Sequence, residues 1–249
     1  MIGAWQFVLI VLLFFVTTSI GVVTGSNSLI TVPVMFELGV EPKTAIATNM
    51  FGLTFMAFGA TLSFARRGQI DFKAMNPFVG VTLLGSALGA LLVGVVSMDW
   101  IPRIVSISMI AVAVFTIFKP DVGVGATKDE VRSSRKILTV GLAFVLAIYG
   151  GFYSGGYMTV LTVVLVAFGG MSFGDSVAGT KYLNLFSSAI ATAVFMWQGL
   201  VDYKLGAVLA VTMFVAAYFG AAVVSKFEDI WLKRIFLAVV FLLAIKLFV

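Results

Sequence analysis

The chain has 249 residues, of which 61% are hydrophobic and 11% charged, with a net charge of +5 and neither cysteine nor histidine. Soluble domains carry about 25% charged residues, so too few charges are present to solvate a water-facing surface, and the mean hydropathy of +1.14 points the same way. Without cysteine or histidine there are no disulfides, thiol nucleophiles or zinc sites and no imidazole base, and the small positive charge calls for no nucleic-acid partner.

Residues 1–36 contain no charged side chain and lack the basic n-region and cleavage site of a signal peptide, so they read as a retained span. In the first half the expected segments are about 2–24, 28–38, 43–65, 74–97 and 101–118. A polar linker at 119–136, KPDVGVGATKDEVRSSRK, divides the chain near its middle. The second half follows with about 137–153, 157–168, 174–197, 205–225 and 230–248. Segments 28–38 and 157–168, at ~1.5 Å per residue, are too short to cross ~30 Å of hydrocarbon. They read as half-helices or re-entrant elements that begin inside the membrane.

The two halves repeat one unit. Gly68-Gln69-Ile70-Asp71-Phe72-Lys73 matches Gly199-Leu200-Val201-Asp202-Tyr203-Lys204, and Trp100 and Arg103 match Trp231 and Arg234 at the same spacing. Gly89-Ala90 matches Gly220-Ala221, and upstream Gly21 and Gly25 match Gly151 and Gly155 with a residue or two of slippage. Chance supplies matched Gly and Ala readily, but not matched Asp, Lys, Trp and Arg in register. Loop charges set the orientation, because Lys and Arg concentrate on the cytoplasmic side. Arg66, Arg67 and Lys73 make one loop basic while its repeat partner keeps Lys204; at the other end Arg103 stands alone against Lys226, Lys233 and Arg234. Inverted halves put every basic loop and the linker inside, whereas parallel halves would not. The fold expected is therefore an all-α polytopic membrane protein. It has two inverted repeats of about four to five segments each, 1–118 and 137–249, joined by a cytoplasmic linker, with the first segment of each repeat broken near mid-membrane.

The breaks carry the candidate chemistry. The first holds Gly25, Ser26, Asn27 and Ser28, the second Ser154, Gly155, Gly156 and Tyr157. Glycine and small polar residues weaken a helix and favour an N-cap for the segment that follows. A half-helix starting there aims unpaired N–H groups and partial positive charge into the protein, and two such termini could converge on one anion. The alternative is close helix packing through Gly and Ser, which is the reading preferred for Gly85 and Gly89 on the ground that no polar group accompanies them. The next spans add Thr48 and Asn49 in one half and Thr180 and Lys181, with Asn184 on the same face, in the other. A lysine at this depth is costly and favours a cavity or an anionic partner, though snorkelling to the interface is open to it. Asp175 reads as a helix cap, and Glu37 and Glu41 as interfacial. No cofactor or metal site and no catalytic constellation emerge. The partners expected are a small anionic substrate and membrane lipid, with homo-oligomerisation left open.

The Gly-rich first segment running into Leu29-Ile30-Thr31-Val32-Pro33, then Gly39, Ala47-Thr48-Asn49 and Gly68-Gln69-Ile70-Asp71, resembles the sulfite-exporter TauE/SafE family of membrane permeases, as does the weaker copy in the second half. The likeness runs over essentially the whole chain, with Val163 read against Pro33 and Lys181 against Asn49. It implies a multi-pass transporter of the cell inner membrane carrying sulfite or organosulfonates such as sulfoacetate. The residues by themselves support a small anion; an anion channel or a carrier of small carboxylates suits the same donors.

Overall fold

The computed structural model describes residues 4–24, 27–118 and 133–224. Most of the expected linker, the last segment at 230–248 with Lys226, Trp231, Lys233 and Arg234, and the break residues Gly25 and Ser26 lie outside the described residues. Within them the fold is all-helical: α1 Ala4–Thr24, α2 Ser28–Glu37, α3 Pro42–Arg66, α4 Phe72–Val95, α5 Trp100–Phe118, α6 Ser133–Phe152, α7 Tyr157–Ala167, α8 Phe173–Trp197 and α9 Tyr203–Val224. Of these, α3 and α4 are long and apolar enough to cross a membrane on length and composition alone.

The repeated Gly-x-x-Asp sequence is a compact helix-to-helix joint. At its start a left-handed glycine ends the incoming helix: Gly68 at φ 66° and Gly199 at φ 70°. The next residue donates back five positions, Gln69 N to the Phe64 carbonyl and Leu200 N to that of Phe195, which closes the last turn as a Schellman motif. Three residues on, Asp71 Oδ1 accepts from Ala74 N at 3.0 Å, and Asp202 Oδ1 from Lys204 N and Leu205 N at 3.0 and 3.1 Å, so each aspartate caps the outgoing helix. Between them Ile70 and Val201 are both buried and pin the joint to the core.

The interval relating Gly68 to Gly199 also relates Trp100 to Trp231, and it extends back to Gly39 and Gly170, both with positive φ. It carries α3 onto α8, each of 25 residues. This register corrects two sequence pairings made across the slippage at the breaks. Asn49 stands opposite Thr180, and Lys181 opposite Met50, while Pro33 stands opposite Val164. Hydrogen bonding agrees, since Thr31 bonds Asn49 in one half and Thr162 meets Thr180 in the other.

Packing between the halves is reciprocal. Helix α4 lies on α6 and its counterpart α9 on α1; α3 lies on α9 and α8 on α4; α3 and α8 cross at the centre, where the Thr54 and Thr192 hydroxyls meet at 3.0 Å. Helix α9 runs beside α3 in the same direction, from Asp202 N donating to Thr48 Oγ1 (3.0 Å) to Arg66 donating to the Tyr218 hydroxyl (2.8 Å). Likewise α8 runs along α4, with Gly179 against Met75 and Ser187 against Ser86. Glycines set the closest approach: a Cβ on Gly89 would meet the Ile148 carbonyl, and one on Gly151 the backbone of Ser86.

The exterior is apolar, unlike that of a water-soluble bundle, and polar side chains are set into the hydrophobic core. Large apolar side chains face outward, as with Leu84 and Val95 of α4 at 66% and 80% exposure. Inside, by contrast, sit Thr18, Asn27, Thr31, Thr48, Asn49, Thr82, Ser86, Lys181, Asn184 and Ser187, all buried. Apolar outside and polar inside is the arrangement that lipid as solvent selects.

Candidate functional site

Every described residue of the two breaks is buried, and the breaks meet. Helix α1 ends at Thr24 and α2 restarts from Asn27; α6 ends at Phe152 and α7 restarts from Gly156. The Tyr153 hydroxyl donates to the Ser28 carbonyl at 3.0 Å, and a Cβ on Gly155 would lie 2.8 Å from Leu29 Cδ2. Asn27, at the N-cap of α2, makes no side-chain cap, and Gly156, at the N-cap of α7, has no side chain to make one. Both half-helix N-termini therefore point their dipoles into one buried region without a cap from the side chain of their N-cap residue. Backbone geometry at the second break is unusual, with Ser154 at φ 68° and Gly156 at φ 79°. A non-glycine residue in that region is held there by its surroundings, here by Tyr157 N donating to the Ser154 carbonyl and the Tyr149 hydroxyl donating to that of Gly155.

In the first half the residues close on one another. Thr31 Oγ1 donates to Asn49 Oδ1 at 2.7 Å, Asn49 Nδ2 donates to Ser28 Oγ at 2.9 Å, and Asn27 Nδ2 donates to Thr18 Oγ1 at 3.2 Å. Asn27 Oδ1 has no partner among the described residues. Thr48 is buried as expected but turned away, accepting from Asp202 N at the α8–α9 joint. It ties α3 to that joint and does not face the breaks.

The second half is less satisfied. Lys181, 2% exposed, finds one acceptor among the described residues, Met158 Sδ at 3.7 Å on the first turn of α7. Its ammonium is enclosed within the protein and does not reach the outer surface. Thr180 meets Thr162 at 3.3 Å, Asn184 Oδ1 has no partner among the described residues, and Ser188 donates to the Asn184 carbonyl. The Tyr157 hydroxyl approaches Thr82 and Ser187 without a hydrogen bond of good geometry to either. Asp175 does not cap α8: Ser172 Oγ accepts from Asp175 N at 3.1 Å, and Asp175 stands within the first turn. Glu37 and Glu41 are exposed at the α2–α3 junction.

Several polar residues of the interior are not marked by sequence: Thr18, Thr31, Tyr153, Thr162, Thr82, Ser86 and Ser187, all buried, and the partly buried Tyr149. Ser86 shows that the Gly85–Gly89 contact is accompanied by a polar group after all, since it bonds Ser187 at 2.7 Å and the Ala147 carbonyl at 3.1 Å. The four-residue recurrence of Thr180, Asn184 and Ser188 along α8 was the signal available for finding that polar face.

A fold that is all-helical over the described residues, with an apolar exterior, buried polar groups and two broken helices, has the makings of a membrane transporter. Matching over residues 9–247, the chain belongs to the sulfite exporter TauE/SafE family, a family of membrane transporters and not of enzymes. It is 29% identical over 233 residues to the probable membrane transporter protein ORF9 of Sinorhizobium sp, covering 94% of this chain and 88% of that one. Identity is 28% to the probable membrane transporter protein YfcA of Escherichia coli, over 85% of this chain and 79% of the relative, and 25% to YdhB of Bacillus subtilis, over 80% of each. No solved structure gives a significant match.

Proposed function

We propose that the protein is a secondary transporter of a small sulfur-containing anion, sulfite or an organosulfonate such as sulfoacetate, working by alternating access as a multi-pass protein of the cell inner membrane. The observation that carries this reading is Lys181: a buried lysine whose one acceptor among the described residues is a thioether on the first turn of α7, the helix whose start meets that of α2. An anion bound there would be met by the lysine, by backbone N–H groups and by hydroxyl and amide donors from Asn27, Ser28, Asn49, Ser154, Tyr157, Thr180 and Asn184. Gly25, Ser26, Gly155 and Gly156 would let backbone approach it closely. Three sulfonate oxygens offer several acceptor positions to so donor-rich a site.

The halves, 1–118 and 137–249 with a cytoplasmic linker at 119–136, are on this reading inverted repeats. Their reciprocal packing supports it, as do the directions of α9 along α3 and α8 along α4, which leave α3 and α8 running oppositely. The test is counterflow in proteoliposomes, with radiolabelled sulfite or sulfoacetate taken up against preloaded unlabelled anion. Saturable counterflow that falls at least tenfold in Lys181→Ala is expected. Unchanged flux in that variant for every anion would remove the site, and large unitary currents would make the protein a channel.

A further inference from the structure

The two halves place opposite chemistry at equivalent buried positions. Along one face of α8 run Ser176, Thr180, Asn184 and Ser187, spaced for a single helical stripe, with Lys181 beside them. By the interval that relates the repeats, their counterparts on α3 are Ala45, Asn49, Leu53 and Met56, and Met50 stands for Lys181. On the neighbouring helices Thr82 and Ser86 of α4 correspond to Met213 and Ala217 of α9. All of these are buried. Both halves are polar only at the Asn49–Thr180 pair, and there Thr31 and Thr162 close the two side chains.

The polar side is not internally satisfied. Seven buried side-chain atoms lack a partner of good geometry among the described residues, and four of them lie on or against this stripe: Ser176 Oγ and Asn184 Oδ1, and Thr82 Oγ1 and Tyr157 OH, which approach one another without a well-formed bond. Groups that only locked helices together would be expected to bond one another, as Ser86 and Ser187 do at 2.7 Å. Unpaired polar atoms in a membrane interior are costly unless water or a passing ligand reaches them. The stripe also has a direction. The start of α8 lies level with the start of α4, since Gly179 packs on Met75 and the Tyr182 hydroxyl donates to Asn76 Oδ1 at 2.9 Å. Ser176 is thus near the face carrying Arg66, Arg67 and Lys73, and Ser187 lies about 16 Å further along the helix.

We propose that Ser176, Lys181, Asn184, Ser187, Thr82 and Tyr157 line a hydrophilic passage from the face carrying Arg66, Arg67 and Lys73 to the meeting point of the two breaks, while the equivalent positions of the first half form a dry Met- and Leu-lined seal toward the opposite face. The passage is closed in this conformation and takes up water when the carrier opens. It rests on the transporter reading, but its test requires no substrate.

Because the sequence contains no cysteine, single cysteines can be introduced without background. Ser176→Cys, Asn184→Cys and Ser187→Cys are compared with Ala45→Cys, Leu53→Cys and Met56→Cys in membrane vesicles. The reagent is a membrane-impermeant anionic methanethiosulfonate, and Gln69→Cys marks the basic face. Labelling of the α8 set from the marker's face, at least tenfold faster than that of the α3 set from either face, is expected. All variants should react equally after denaturation in detergent, so one that is unreactive even then is replaced by its neighbour on the stripe, Thr180→Cys or Thr82→Cys. Equal rates for the two sets, or an α8 set that reacts only after denaturation, would overturn the proposal. Absence of anion counterflow alongside the expected labelling would instead count against the substrate reading alone.

Discussion

Replacing Lys181 with methionine separates the demands of folding from those of binding. The first half has made the same choice, since Met50 occupies the equivalent position at 1% exposure. The side chains are close in length, and volume-conserving core changes cost less than ~1.5 kcal/mol. Against that, a lysine within the membrane costs about 2.5–3.5 kcal/mol on insertion scales. One thioether contact at 3.7 Å offsets little of it. Lys181→Met is therefore expected to raise the stability of the ligand-free protein by about 1–3 kcal/mol, the difference between those terms. Thermal unfolding in detergent, with and without sulfite or sulfoacetate, reads both effects. A ligand that binds the folded state raises its apparent stability, so the wild type should shift upward with anion and the variant should start higher and shift no further. A variant less stable than wild type by more than about 1 kcal/mol would mean that Lys181 serves the fold, and the reasoning from its isolation would fail.

Asn49→Leu breaks two buried hydrogen bonds between helices and should cost about 1–3 kcal/mol at ~0.6–1.7 each, whereas Thr180→Val breaks a single, longer contact between helices, with a bond to the Val177 carbonyl of its own helix, and should cost under about 1 kcal/mol, both read by the same unfolding assay. Gly151→Ala drives a methyl group into the Ser86 backbone and should destabilise by about 1–3 kcal/mol, while Gly141→Ala, with open space around it, should be neutral or slightly stabilising. Ser154→Gly relieves a left-handed backbone worth about 1 kcal/mol, so the variant should melt higher; its affinity for the transported anion should fall in a binding titration.

Much of this architecture could be read from residue order. The breaks, the short helices after them and the Gly-x-x-Asp joints all came from glycine, small polar residues and aspartate in positions where backbone chemistry leaves few choices. The register of the repeat was lost where the chain slips at the breaks, because Thr-Lys and Thr-Asn look alike across a one-residue shift. The flanking glycines with positive φ restore it. Partners were harder still. Nothing in a run of apolar residues marks Thr31 as the group that closes Asn49, and Ser86 was passed over inside a glycine pattern that packs well without it. The orientation of Thr48 toward Asp202 depends on which helices are neighbours, information that composition and spacing do not hold.

The hydrogen bond from Tyr153 to the Ser28 carbonyl is a direct polar link between the two broken helices. A buried bond between membrane helices contributes about 0.6–1.7 kcal/mol, or roughly a three- to eighteen-fold bias between joined and parted states. Binding at millimolar affinity releases ~4.1 kcal/mol under standard conditions. The clasp is thus weak enough for even a loosely held solute to tip, and the principal barrier to parting the breaks must reside in the helix interfaces around them, not in the tyrosine.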